Sequence, residues 1–496
     1  MRIVTGEEMT KIDQYAIDEI GLDGKILMEN AGRVAAKNIM KTYSRHQKYS
    51  VLIGSGNNGG DGFVIAKVLK ENGYDVEAGL IPDEHKITGD AEYHKNIYTN
   101  SGYTFTSYNK AAMEKSDVII DTMLGTGTEG EIREPYKEIF NELNNMDKTI
   151  VSIDLPSGVP DDETPVPDGA LKADHTLIIG LPKLSYYTYP AREYYGKAKI
   201  IHIGLPNKAV KEVVKSDISV WKLEDTVHTW PARDKNSHKG SHGKVGIIAG
   251  SSNMPGAAVL TATAAVRSGA GLTALNTHKE IFPTITGHVP EATLFDRKDD
   301  LQNFIDDKDV IAIGPGIGVN ADTRNTVGHL IDNFDGPLVL DADGLSELQN
   351  LKSKIKSRKH PVIISPHPGE MARLINSSAA EVNQNRFKIS REISVEYGIY
   401  VVLKGPNTLV ATPAGETFIN DTGNAGLAKG GSGDILTGMI AAFLGRYENT
   451  QHAVSSAVFM HGFTADHILK EGMGIETMTA SDIVDNLSRT FSIFGE

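Results

Sequence analysis

The chain has 496 residues, with 50 Lys or Arg, 64 Asp or Glu, 50 Gly and no Cys. The length holds about three average domains or two larger ones, and hydrophobic and charged shares of 40% and 23% exclude a fully disordered chain. The missing cysteines exclude disulfides, thiolate catalysis and cysteine-ligated metals and fit a reducing cytosol, while a net charge of −14 leaves no basic body suited to nucleic acid.

Thr5-Gly6-Glu7-Glu8 has the spacing of a capping box, so a helix running to about residue 20 is expected, then a second over 25–41. A short apolar strand at 49–53 leads into Gly54-Ser55-Gly56-Asn57-Asn58-Gly59-Gly60-Asp61-Gly62, with an amphipathic helix expected from Phe63 to about residue 72. Strands are expected at 75–81, 117–121, 149–155, 175–180 and 199–204, and Pro135 opens a helix. The stretch 205–240 is polar and weakly periodic, which places a linker near 212–225 between spans 1–215 and 222–496. The pattern then restarts, with strands at 244–250, 309–313, 337–340, 361–364 and 400–403. Helices are expected at 256–268, from within Gly430-Gly431-Ser432-Gly433-Asp434 to about 447, and twice more before the end. Strands alternating with helices indicate an α/β fold with parallel sheets. The N-terminus lacks a signal-peptide stretch, and no uninterrupted apolar run approaches the ~20 residues of a membrane span, so a cytoplasmic chain without membrane partners is expected.

Glycine makes up about 10% of the chain against roughly 7% on average. Nearly every glycine cluster follows a strand end, where open parallel sheets bind ligands. Inward-turned amides and helix N-termini there can hold phosphates without a basic patch. Gly54-x-Gly56-x-x-Gly59 and Gly125-x-Gly127-x-x-Gly130 both match a dinucleotide fingerprint. Plain tight turns are the bland alternative. The acid a dehydrogenase needs at the end of the next strand is missing, because Asp75 precedes that strand and Asp83 lies too far along. An ordinary NAD dehydrogenase is therefore discounted.

Asn58, Asp121 and Ser157 each follow a strand end and could offer three hard oxygens to one cation, and Asp154 stands where an acid or base would. Singly, each is as well explained by an Asx turn or a helix cap. Gly431-Ser432-Gly433-Asp434 is sharper: successive amides would cradle a transferring phosphoryl group, and Asp434 would take a proton from an attacking hydroxyl. A capped helix is the bland reading there. No P-loop is present, so backbone donors, Lys404 and a metal would have to neutralise phosphates. His367-Pro368-Gly369-Glu370 places a histidine and an acid at a strand end, whereas His238, His242, His461 and His467 show no ligand spacing.

In this order, these motifs resemble the bifunctional NAD(P)H-hydrate repair enzymes over almost the whole chain. The resemblance rests on Met28-Glu29-Asn30-Ala31-Gly32, the two glycine loops, Asp154-Leu155-Pro156-Ser157-Gly158, Arg267-Ser268-Gly269-Ala270-Gly271, Gly314-Pro315-Gly316, Asp341-Ala342-Asp343, His367-Pro368-Gly369-Glu370, Lys404-Gly405-Pro406 and Gly423-Asn424 through Asp434. Gly344, where an alanine is more usual, is a mild departure. The resemblance implies an N-terminal Rossmann-like three-layer epimerase domain and a C-terminal ribokinase-like dehydratase domain that uses ADP or, less expectedly, ATP, with Mg2+ accompanying the nucleotide. It implies K+ on Asn58, Asp121 and Ser157. It implies substrate contacts at Asn57, Asn58, Gly59, Gly60, Asp61, Gly125, Thr126, Gly127, Thr128, Glu129, Gly130, Glu131 and Asp154 in the first domain. In the second it implies hydrate contacts at Ala257 or Ala258, Gly316, His367 and Asp434, and a nucleotide site at Lys404, Gly405, Pro406, Asn407, Thr408, Asn424, Gly430, Gly431, Ser432 and Gly433. The partners implied are NADHX and NADPHX, with homo-oligomeric assembly. Water added to the reduced nicotinamide leaves a hydroxyl on the carbon beside nitrogen, and phosphorylation makes it a good leaving group. A ribokinase-type kinase fused to a nucleotide-binding module shares the Gly433-Asp434 logic, but His367-Pro368-Gly369-Glu370 and the first domain speak against it. Retention of Asp154, Asp434 and both cradles speaks against a non-catalytic sensor.

Overall fold

The computed structural model describes residues 1–127, 130–346 and 348–494. It divides into two compact units, one spanning Arg2–Ser216 and the other beginning at Asp217 and including Met1. Each is built on its own sheet.

In the first unit, β1 (Lys48–Ile53), β2 (Asp75–Leu80), β3 (Thr106–Ser107), β4 (Val118–Thr122), β5 (Thr149–Ile153), β6 (His175–Ile179) and β7 (Lys197–Ile201) form a sheet of order β3-β2-β1-β4-β5-β6-β7. All of its pairings are parallel. Alternate residues face opposite ways. Val51, Ile53, Ile120 and Ile153 join one hydrophobic core, while Leu52, Ile119 and Ile150 join another. Two apolar cores on one sheet make a three-layer arrangement. The first helix, Gly6–Asp18, is capped by Thr5 and Glu8 as the spacing predicts.

The helix after β1 starts at Asn57, not near Phe63. The glycine run is therefore its first turns, and close packing is the reason. A Cβ on Gly59 would stand 2.1 Å from the Gly54 carbonyl oxygen, so only glycine lets this helix settle against the strand end. Gly125-x-Gly127-x-x-Gly130 is no second copy of this device, because the next helix, Tyr136–Asn144, starts only beyond it. Asp75 opens β2, at the edge opposite the glycine loop, where it cannot serve a ribose.

The second sheet has ten strands and is mixed, where a parallel sheet is the expectation from sequence. They are β8 (Ile218–Val220), β9 (Lys244–Ile248), β10 (Leu272–Thr277), β11 (Thr293–Asp296), β12 (Val310–Ile313), β13 (Leu338–Leu340), β14 (Val362–Ile364), β15 (Tyr400–Leu403), β16 (Thr408–Ala411) and β17 (Thr417–Asn420). Their order is β11-β10-β9-β12-β13-β14-β15-β16-β17-β8, and β16 runs antiparallel to both of its neighbours. The boundary between the units, at Ser216 and Asp217, falls inside the expected linker, though β8 lies in that stretch and pairs with β17 as an edge of this sheet. Helices Pro255–Arg267, Ser432–Leu444, Thr450–Lys470 and Ala480–Phe491 share one core with the strand residues Val245, Ile247, Val339 and Ile363. Among the described residues no helix is long and apolar enough to cross a membrane.

Candidate functional sites

The carboxyl ends of β1, β4, β5 and β6 surround a cavity of about 540 Å3. Of the predicted residues, Asn57, Asn58, Asp61, Gly125, Thr126, Gly127 and Asp154 line it. Gly59 and Gly60 do not line it, being buried within the helix, and Gly130 and Glu131 are exposed away from it. Thr128 and Glu129 lie outside the described residues. Gly56 caps the helix without a side-chain bond, which leaves its first amides open towards the cavity.

Asn58, Asp121 and Ser157 are brought together as predicted. Ser157 Oγ donates to Asp121 Oδ1 at 2.6 Å, and Ser152 Oγ donates to Asp121 Oδ2 at 2.8 Å. Burial pushes the Asp121 carboxyl up, against these bonds. Asn58 Nδ2 donates to the carbonyls of Leu124 and Ile153 at 2.8 and 3.2 Å. Its Oδ1 is buried with no hydrogen-bond partner. An orphaned amide oxygen beside a buried carboxylate and a serine hydroxyl fits a hard monovalent cation.

Asp154 leaves β5 with φ 68, a conformation that side-chain-bearing residues seldom adopt. Its Oδ1 accepts the Ile179 amide at 3.1 Å and an ion pair from Lys183. Lys183 is only 1% exposed, and it also donates to the Ile179 carbonyl at 3.3 Å. Asp13, from helix Gly6–Asp18, completes the polar wall, and burial lifts its carboxyl to about 6. The motifs single out neither Lys183 nor Asp13. The available signal was a lysine embedded in Leu181-Pro182-Lys183-Leu184, just past a strand end.

In the second unit, Lys404 follows β15 and Asp341 follows β13, and their side chains meet at 2.8 Å. Thr437 Oγ1 donates to the other Asp341 oxygen at 2.7 Å, tying helix Ser432–Leu444 to the cluster. Glu370 Oε2 lies 3.8 Å from Lys404. Burial pulls the Lys404 ammonium down, and Asp341 and Glu370 more than offset it. Gly431 adopts φ 93 and places the helix start so that a Cβ on Gly433 would lie 3.4 Å from Lys404 Nζ. Asp434, in that first turn, is raised to about 6 by burial and then by the Asp341 charge.

His367 caps helix Pro368–Ile375 through Nδ1 and stands 3.5 Å from Glu370 through Nε2. The bland reading of its motif is thus present, yet the ring is joined to the Lys404 cluster. Ala257 and Gly316 come together, since a Cβ on Gly316 would lie 2.9 Å from that of Ala257. Gly405 adopts φ 139 with its α-carbon against the Arg386 guanidinium, and Thr408 donates to its carbonyl at 3.0 Å. Pro406 and Asn407 complete that turn, with Asn407 at φ 52. Asn424 is tied to Asp466 at 3.0 Å rather than to this cluster, and Gly430 is exposed. Ser432 is buried beside His461, whose ring burial lowers to about 4.

Two family models match the chain: a YjeF-related protein N-terminus over residues 24–185 and an NAD(P)H-hydrate dehydratase over residues 245–489. A bifunctional NAD(P)H-hydrate repair enzyme of Escherichia coli K12 is 33% identical across 97% of this chain and 92% of its own length. One from Thermofilum pendens is 31% identical across 100% of this chain and 97% of its own. A Bacillus subtilis ADP/ATP-dependent NAD(P)H-hydrate dehydratase, crystallised with ATP and Mg2+, is 35% identical and covers 56% of this chain and 98% of itself, with a TM-score of 0.51. A ribokinase-like superfamily protein from Enterococcus faecalis is 26% identical, with a TM-score of 0.51 over 57% of this chain. The two sheets, their carboxyl-edge sites and these full-length likenesses place the chain in the family of bifunctional NAD(P)H-hydrate repair enzymes.

Proposed function

We propose that this chain repairs hydrated NADH and NADPH in two steps. The first domain interconverts the R and S epimers at the hydroxyl-bearing carbon. The second dehydrates the S epimer at the expense of ADP, with ATP as the alternative donor. The observation that carries this reading is Asp434, a carboxyl in the first turn after a left-handed glycine, beside Lys404.

In the second domain Asp434 takes the hydroxyl proton while the Gly431, Ser432 and Gly433 amides hold the phosphoryl group. Lys404 offsets phosphate charge, and Mg2+ arrives with the nucleotide. Phosphate then leaves with the C–O electron pair, the neighbouring CH2 gives up a proton to water, and the reduced nicotinamide is restored. Ala257, Gly316 and His367 line the hydrate's side, and Lys404, Gly405, Pro406, Asn407 and Thr408 line the nucleotide's. In the first domain Asn58, Asp121 and Ser157 would hold K+, which would supply positive charge for an anionic dinucleotide in an acidic protein. A cytoplasmic location and self-assembly go with this reading.

The test is recovery of reduced-nicotinamide absorbance from mixed hydrated NADH epimers, with ADP, with ATP and with neither. Recovery with ADP that runs past the S fraction supports both activities. No nucleotide-dependent recovery overturns the dehydratase reading, and recovery that halts when the S epimer is spent overturns the epimerase reading.

A further inference from the structure

The first-domain cavity holds more acid–base groups than a binding cradle needs. Asp61 reaches it from helix Asn57–Glu71 and is 8% exposed. The groups facing it are Asp154 after β5, Lys183 after β6 and Asp13 from helix Gly6–Asp18, with Asp90 on the same wall. Desolvation holds the Asp61 carboxyl well above the usual range, and the Asp154 and Asp13 charges add to it. Asp154 instead has the Lys183 ammonium against its Oδ1. One cavity thus offers a buried carboxyl among like charges and a second carboxyl paired with an ammonium. Two carboxyls set apart in this way supply an acid and a base at one pH.

Resting on the epimerase reading above, we propose that Asp61 is the general acid and Asp154 the general base of epimerisation, with Lys183 positioning Asp154, and that inversion proceeds by opening and reclosing the ring C–N bond. Asp154 takes the hydroxyl proton. The C–O bond becomes a carbonyl as the C–N bond breaks, and its electron pair passes to nitrogen, which takes the Asp61 proton. The open aldehyde turns about the bond to its neighbouring CH2. Nitrogen then adds to the opposite face and returns its proton to Asp61, while the oxygen recovers its proton from Asp154. Nothing is consumed. Breaking the C–O bond instead would create the cation that becomes reduced nicotinamide on losing one proton. Asp154 could remove that proton, and the nucleotide-dependent second domain would be redundant.

The experiment uses the intact chain, with the two epimers separated chromatographically. Asp61→Asn is expected to slow epimer exchange by about 10²–10⁴-fold with KM little changed. Nucleotide-dependent dehydration in the same sample and thermal melts check folding. Exchange within threefold of wild type overturns the role of Asp61. Lys183→Met should lower kcat about 100-fold with KM within threefold, and Lys183→Arg should recover most of it. A change confined to KM, or no rescue by arginine, overturns the positioning role. In ¹⁸O-labelled water, inversion should proceed with far less than one solvent oxygen incorporated per event. One per event overturns the ring-opening step. Absence of exchange in the wild-type chain fails the epimerase reading itself, before any of these comparisons is made.

Discussion

Both candidate sites place one lysine among several carboxyls at the carboxyl edge of parallel strands, yet they use the lysine differently. In the first domain Lys183 pairs directly with Asp154, the carboxylate we propose as the base. In the second, Lys404 pairs with Asp341 at 2.8 Å, and burial, with the Asp341 charge added, lifts the Asp434 carboxyl to about 6. One arrangement sets a buried ammonium directly against the carboxyl. The other holds a carboxyl near neutrality, where it can accept a hydroxyl proton and still be a fair base at physiological pH. The same residue types therefore give different pairings, decided by which carboxyl the lysine reaches.

The comparison breaks most visibly on catalysis. Asp434→Asn removes the base for the attacking hydroxyl and should lower nucleotide-dependent dehydration by about 10³-fold or more, followed by absorbance recovery. Epimer exchange in the same sample should persist, because its acid–base groups belong to the other sheet. Loss of both activities together would show that the two sites are not chemically separate. Stability supplies the next largest effect. Asp154→Asn leaves Lys183, 1% exposed, without its counter-charge, and should cost the first domain about 3 kcal/mol in denaturant unfolding. A neutral result would mean that the pair contributes nothing to holding the loop.

Much of this was legible in the residues. Asn58, Asp121 and Ser157 were expected together because parallel strands end on one edge, and the register of β1, β4 and β5 puts them there. The helix start near Gly431 was legible because glycines before an acid signal a first helical turn, whereas the left-handed conformation of Gly431 was not read. The glycine loop after β1 was only half legible. Its sequence shows small residues but not that Gly59 serves close packing against Gly54 rather than an inward amide. Lys183 was not singled out, because its backbone partner Val4 comes from the distant start of the chain. The strand Ile218–Val220 was missed for a similar reason, since three residues amid charges become a strand only through β17, about 200 positions away.

A smaller effect tests the cation. If K+ completes Asn58 Oδ1, which is buried without a partner, K+ should stabilise the first domain by about 1.4 kcal/mol at ten times its Kd. Thermal melts in K+ against a bulky organic cation would measure it. Asn58→Ala should flatten the response. A K+ response that survives this substitution would remove Asn58 from the site.

An effect of similar size separates the two sites by sign. Asp434 folded titrates at about 6, against an ordinary 3.8, because burial and Asp341 disfavour its charge. Below the ordinary value the carboxyl is protonated folded and unfolded, and the shift has no consequence. As pH rises through 6 the folded chain must ionise a desolvated group, so this residue lowers stability at neutral and alkaline pH. The full shift corresponds to about 3 kcal/mol, and water reaching the open cleft reduces this to roughly 1–2 kcal/mol. Asp434→Asn should therefore stabilise the second domain by that amount at pH 8 and by nothing near pH 4, measured by denaturant unfolding at both values. The wild-type dehydration rate should fall about fivefold between pH 6 and pH 5 as Asp434 takes up its proton. Asp154→Asn destabilises and Asp434→Asn stabilises, although each removes a carboxylate at the heart of its site. The reason is that Lys183 balances the first charge locally, whereas Lys404 is already engaged by Asp341 and leaves the second exposed to its own burial.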